Sequence, residues 1–290
     1  MASILMPAAQ KLSISDHSRE AAGLTYVYPV ISRRAGGVSV GINLNPNNAC
    51  NWRCIYCQVP GLNRGSAPEI DLQKLDAELH SFMRELLSGD FLEKKVPLES
   101  RRIIDIALSG NGEPTSSKQF AEVVDSVGKA LEDFGLRNKI KLVLITNGSL
   151  MQRMSVQRGL KIMKELNGEV WFKLDSATRA GMRRVNGTQR SMGQVLQNLR
   201  VASLLCPTWL QTCVFALDGK PPLAAERKAY LKFVGGLKKK GIAVEGLLLY
   251  GLARQSMQPE AARLSTLPGE WLQEFASEVR SLGLTVKISP

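Results

Sequence analysis

The chain has 290 residues, a formal net charge of +12, a pI near 9.6, and 44% hydrophobic but only 6% aromatic residues. That length fills one large α/β domain or two small ones. No apolar run reaches bilayer-spanning length and no charged-then-apolar leader is read at Met1 to Gln10, so a soluble, intracellular protein is expected, in the cytoplasm. Such a compartment keeps the five cysteines reduced. The surplus positive charge attracts phosphate-bearing partners, although no separate RNA-binding module is visible.

Taken in chain order, apolar runs predict strands near Val38 to Asn45, Ile103 to Ser109, Ile140 to Thr146, Val170 to Asp175, Trp209 to Phe215 and Ala243 to Tyr250. Helical patterns fall between them near Asp71 to Leu87, Lys118 to Phe134, Ser155 to Leu166, Met192 to Leu204 and Leu223 to Lys240. About six β-α units argue for a parallel sheet with helical crossovers. A closed barrel needs eight, so the expected fold is α/β, a partial (β/α)6 TIM-like barrel. Residues 1–27 are expected as an N-terminal extension, loosely ordered before about Gly23, and 28–255 as the core. Residues 256–290 then add a helix near Gly269 to Leu282 and a strand near Thr285 to Ile288, packed on that core.

Three cysteines, Cys50, Cys54 and Cys57, are spaced C-x-x-x-C-x-x-C, one ligand short of four. A [4Fe-4S] cube takes one thiolate on each iron, so three protein ligands leave one iron open to an outside molecule. Zinc is the rival, but a structural zinc site wants four protein ligands, and neither His17 nor His80 nor a fourth cysteine lies near this run. Cys206 and Cys213 are too few for a second cube, and Cys213 reads as a small buried thiol in mid-strand. A second signal, Gly110-Asn111-Gly112-Glu113-Pro114, follows the Ile103 strand, where glycines let the backbone approach a ligand closely. Ligand sites of such barrels lie at the C-terminal strand ends. The cysteine loop, Gly112-Glu113, Thr146-Asn147 and Asp175-Ser176 all fall there. Along the fourth strand, period-2 alternation puts Lys173 and Asp175 on the lumen side, as a ligand contact or as an internal ion pair. Asn43 and Asn45 line the lumen or fix the cysteine loop.

The cysteine triad after one strand and the glycine-glutamate motif after the next resemble the radical S-adenosylmethionine (SAM) superfamily. The resemblance implies that Cys50, Cys54 and Cys57 hold a [4Fe-4S] cluster whose open iron is chelated by SAM. Tyr56 would pack near the adenine, and Gly112 and Glu113 would meet the SAM amino group, with Gly110 shaping the turn. Asn147, Lys173 and Asp175 complete the implied cofactor contacts. The flanks, Tyr28 to Gly37, Gly41 to Gln58, Ser109 to Thr115 and Ile145 to Ser149, look like the branch containing wyosine-tRNA synthetases. That branch carries further cysteines upstream for a second cluster, and here no cysteine precedes Cys50. The resemblance implies the radical SAM machinery, while the pyruvate-using wyosine reaction is not expected. The implied electron donor is a flavodoxin or ferredoxin, and the favoured substrate a tRNA or nucleotide. An activating or peptide-modifying enzyme, and an iron-sulfur or zinc binding or sensing protein without turnover, stay open. Of the basic runs, Arg33-Arg34, Arg101-Arg102, Arg183-Arg184 and Lys238 to Lys240, the Arg183 pair is the functional candidate, since it follows Asp175 on the active rim.

Overall fold

The structure is a computed structural model that describes Leu12, residues 23–32 and residues 36–289. The loose order expected before Gly23, Leu12 apart, and the Arg33-Arg34 doublet lie outside these residues. Eight strands form one curled half-barrel sheet: β1 (Val27–Ser32), β2 (Gly37–Ile42), β3 (Ile103–Leu108), β4 (Lys141–Thr146), β5 (Gly168–Lys173), β6 (Thr208–Cys213), β7 (Gly246–Tyr250) and β8 (Val286–Ser289). Spatial order follows chain order. β1 runs antiparallel to β2, and every other neighbouring pair is parallel.

Helices α1 (Leu72–Ser88), α2 (Phe120–Asp133), α3 (Met154–Glu165), α4 (Arg179–Asn186), α5 (Met192–Leu205), α6 (Ala224–Gly235) and α7 (Gly269–Ser281) accompany the sheet. Helix α1 shows why such segments fold as they do. Asp71 caps it by accepting from the Lys74 N–H at 2.9 Å, and Leu75, Leu79, Phe82 and Leu86 recur on the buried face. Its Glu78 turns inward, and the carboxylate accepts the backbone N–H groups of Thr25, Tyr26 and Val27 at 2.8 to 3.3 Å, which ties the start of β1 to the helix. In β5 the alternation is as expected. Val170 and Phe172 are buried in the main core, while Trp171 and Lys173 face a cavity on the other side of the sheet.

The half-barrel is the fold expected, with several local corrections. β1 and α4 had no counterpart in the expected elements. The helix expected to run to Lys240 ends at Gly235, and Lys238–Lys240 forms a separate, exposed 3-10 turn. Gly241 terminates that turn at φ +67°, a left-handed conformation that a helix cannot continue through. The strand expected from Ala243 starts at Gly246, and Cys213 is the last residue of β6 rather than its middle. At the far edge β8 pairs with β7, closing that side of the sheet. Among the described residues no helix is long and apolar enough to cross a membrane.

Candidate active site

The C-terminal ends of the parallel strands open into one cavity of about 300 Å³, and Cys50, Cys54 and Cys57 all line it. The loop carrying them is fixed from below by side chains at the end of β2. Asn43 Oδ1 accepts the N–H groups of Asn45 and Asn111, each at 3.0 Å, and Asn45 Nδ2 donates to the Ala49 carbonyl at 2.9 Å. These two asparagines therefore fix the loop. On one side the loop bonds to the end of α4, Arg53 N–H to Asn186 O at 3.1 Å and Ile55 N–H to Val185 O at 2.9 Å. On the other side it is held by a segment some 200 residues further along. The Ser256 hydroxyl donates to Ile55 O at 2.7 Å, Met257 N–H to Cys57 O at 2.9 Å, and Gln258 Nε2 to Val59 O at 3.0 Å. Arg53 forks onto both oxygens of Glu260 at 3.0 Å.

All three loop cysteines are free thiols. Burial pushes Cys50 up to about 12 and Cys54 higher still, so neither ionises on its own near neutrality. A bound cation reverses that logic, because the metal charge repays what desolvation costs the thiolate. Donors already aim at the sulfurs: Asn186 Nδ2 lies 3.3 Å from Cys54 Sγ and Trp52 N–H 3.5 Å from Cys50 Sγ. Buried polar atoms without a partner gather here too, at Asn45 Oδ1, Trp52 Nε1, Asn111 Oδ1 and Asn186 Oδ1. Among the described residues no three His, Cys, Asp or Glu side chains are gathered to hold a metal ion. A [4Fe-4S] cube gives each thiolate its own iron, so its ligands need not converge as those of one zinc must. The sulfur-only donor set fits such a cube.

The glycine turn after β3 lies flat on this loop. A Cβ at Gly112 would sit 2.0 Å from the Ala49 carbonyl oxygen, and one at Gly110 2.3 Å from Asn43 Oδ1, so any side chain at either position would displace the cysteine loop. Glu113, 2% exposed, faces the end of β4. Its Oε1 accepts from Thr115 N–H at 3.2 Å and from the Thr115 and Thr146 hydroxyls at 2.5 Å, and its Oε2 accepts Asn147 N–H at 2.7 Å. Burial raises its carboxyl above the usual range while these four donors pull it back. A carboxylate offers about four acceptor sites, so Oε2 keeps one for a ligand. Asn147 in turn reaches Asn51 of the cysteine loop at 2.8 Å.

Opposite lies a second group. The Tyr56 hydroxyl donates to Asp175 Oδ2 at 2.6 Å, and Asn186 Nδ2 donates to the same oxygen at 2.6 Å. Asp175 Oδ1 accepts the Cys213 N–H at 2.8 Å. Lys173 Nζ stands 3.2 Å from the Tyr250 hydroxyl and 5.5 Å from the centre of the Tyr56 ring. Burial alone would lower Lys173, but Tyr250 and Asp175 outweigh it and hold the ammonium above the ordinary lysine range. Of the two alternatives for Lys173 and Asp175, the direct ion pair is not formed among the described residues; Tyr56 stands between them.

The structure thus brings Cys50, Cys54, Cys57, Tyr56, Gly110, Gly112, Glu113, Asn147 and Lys173 to one cavity wall, with Asp175 bonded to that wall through Tyr56. Sequence reasoning missed Asn186 and the Ser256 to Gln258 clamp, whose roles come from contacts more than 130 residues away. It also missed Gln211, although β6 alternation places it on the lumen side with Cys213. Arg183 and Arg184 are exposed on α4, and Arg184 lines a separate cavity with Glu226, 3.6 Å away. Arg101 sits at the opposite end of β3, bonded to the carbonyls of Val96 and Glu93.

Comparison with known proteins agrees with this geometry. The UPF0026 protein of Helicobacter pylori strain J99 is 28% identical over 212 residues, 71% of this chain and 60% of that protein. The UPF0026 protein MJ1312 of Methanocaldococcus jannaschii is 29% identical over 170 residues, 57% of this chain and 44% of that protein. The chain spans only 17% of a Brachyspira hyodysenteriae protein named GTPase Obg, at 28% identity over 46% of this chain. Among solved structures, spore photoproduct lyase with bound AdoMet and dinucleoside spore photoproduct superposes with a TM-score of 0.57 at 11% identity, covering 90% of this chain and 78% of that one. TYW1 with a lysine-pyruvate adduct bound gives 0.52 at 15%, covering 86% and 74%. Likeness at such identities shows the fold. The model of the radical SAM superfamily matches residues 44–219, well over half the chain. Because that span takes in the whole rim from Cys50 to Asp175, the chain belongs to the radical SAM superfamily, whose enzymes use a [4Fe-4S] cluster and S-adenosylmethionine.

Proposed function

We propose that the protein is a cytoplasmic radical SAM enzyme acting on a nucleotide or RNA substrate, fed electrons by a flavodoxin- or ferredoxin-type donor. The observation that carries the catalytic part is the meeting of three free thiols and the Gly110 to Glu113 turn on one cavity at the C-terminal strand ends. When bound, the cluster would supply one electron and SAM a sulfonium carbon–sulfur bond, whose reductive cleavage gives methionine and the means of removing a hydrogen atom from the substrate. The chain's own part is to bind, orient and exclude water. Cys50, Cys54 and Cys57 would hold the cluster, and Glu113 Oε2, which accepts only the Asn147 N–H, would be left to accept from the SAM amino group. Asn147 links that carboxylate to the cysteine loop. Tyr56, pinned through its hydroxyl to Asp175, offers a fixed ring face for adenine. Lys173 places its ammonium 5.5 Å from the centre of that ring.

The substrate class is supported by charge. Helix α4 presents Arg179, Arg183 and Arg184 on its exposed face with no acidic residue in the helix, and its end is docked on the cysteine loop. Guanidinium groups in such a row suit phosphates. The test is anaerobic: reconstitute with iron and sulfide, reduce with dithionite, add SAM, and assay 5'-deoxyadenosine beside a Cys54→Ala control. Product from the wild type alone supports the assignment. A protein that binds only zinc and never cleaves SAM refutes it.

A further inference from the structure

We propose that the floor of the cavity is a nucleobase subsite and that Gln211 reads the base. This rests on the nucleotide-substrate reading above. Gln211 lies on β6 directly beside Lys173 of β5, with Trp171 the next cavity-facing residue down that strand, and none of the contacts assigned to the cofactors uses its amide. It is 1% exposed, it lines the cavity, and its Oε1 has no hydrogen-bond partner. Nearly all buried polar side chains are paired, so an unpaired amide oxygen facing a cavity points to a ligand that completes it. The other floor residues say what that ligand is. Tyr28 from β1 and Trp171 from β5 bring flat aromatic side chains to the wall, with Val30 and Val143 as apolar lining. Asp105 from β3 adds a buried carboxylate that accepts the Ser39 hydroxyl.

A glutamine amide presents an acceptor and a donor side by side, the complement of the donor–acceptor edge that every nucleobase carries. Aromatic walls supply stacking, which is how enzymes hold a base taken out of its strand. An aliphatic amine or a peptide side chain would need neither the flat walls nor the paired amide.

The experiment uses the full chain, reconstituted anaerobically, saturated with SAM and left unreduced. Calorimetry then compares cytidine monophosphate and uridine monophosphate with ribose 5-phosphate, which keeps the phosphate and lacks the base; adenine nucleotides are avoided because they compete for the SAM site. At least one pyrimidine nucleotide should bind tenfold or more tighter than ribose 5-phosphate, and Gln211→Leu should remove about tenfold or more of that advantage while leaving SAM affinity unchanged. Should Gln211→Leu fail to fold, Gln211→Met keeps the length and removes the hydrogen bonds. The inference is overturned if neither nucleotide outbinds ribose 5-phosphate, if the variants bind nucleotide as the wild type does, or if they lose SAM affinity, which would make Gln211 a cofactor contact. Failure of the wild type to bind SAM at all would sink the enzyme reading instead.

Discussion

Replacing Glu113 with glutamine changes one atom's chemistry and almost no volume, so the cost is set by the donors around the carboxylate. Four point at it, three of them at Oε1. A glutamine places its carbonyl oxygen there, which leaves its NH2 group facing the Asn147 N–H across what was a 2.7 Å bond. Two donors then oppose each other in a site 2% exposed to solvent. An orphaned buried N–H costs about 1–3 kcal/mol, and the charge-assisted bond that disappears was worth a similar amount, so Glu113→Gln should destabilise the protein by about 2–3 kcal/mol. For a chain of this size that corresponds to a melting temperature lower by roughly 5 °C or more. Thermal melting of the cluster-free protein measures this without any cofactor, and SAM binding to the reconstituted variant should be weakened as well. A variant melting within about 0.5 kcal/mol of the wild type would refute the idea that the carboxylate organises the rim.

Three further outcomes are expected. Gly112→Ala places a methyl group about 1.4 Å inside ordinary contact with the Ala49 carbonyl, costing roughly 1–3 kcal/mol of overpacking and moving the Cys50 loop; iron and sulfide bound per chain after reconstitution should fall, and an unchanged yield would rule the crowding out. Arg179→Ala and Arg183→Ala should each weaken single-stranded RNA binding in fluorescence anisotropy and reduce the salt slope by about 0.7 for each phosphate no longer neutralised, whereas substitutions in the remote Lys238–Lys240 turn should not. For His80, burial lowers the pKa but the bonds to Asp133 and Asp76 outweigh it, so its folded value lies above the ordinary histidine range. The stabilisation is therefore complete below the unfolded value and is lost as pH rises through the folded one. An NMR titration should show the raised value, and Asp133→Asn should lower it.

What was legible in the sequence was whatever depends on near neighbours. The cysteine spacing, the glycine turn and the period-2 alternation of β5 are local patterns, and each lands on the cavity. β1 was not legible because Val27–Ser32 is short and interrupted by Pro29, which cannot donate to a ladder and suits an edge strand. What makes it a strand is Glu78, about 50 residues away, together with β2. Helix α4 is similar. Eight residues with an internal Gly181 carry a poor helical signal, and the helix is secured by its Thr178 cap, the left-handed Gly187 and the cysteine loop beneath it. The functional contacts of Asn186 have no local signature at all.

The clamp on the cysteine loop makes the metal site the place where three distant stretches of chain are tied together. Residues 50–60 are bonded at once to positions 132 and about 200 residues further along, closures that are entropically costly and form late. The loop can therefore take its final shape only after both later segments have arrived. Iron loading belongs at the end of folding, and a chain that loses its cluster should loosen at α4 and around Ser256 together, where protease cleavage would report the loss.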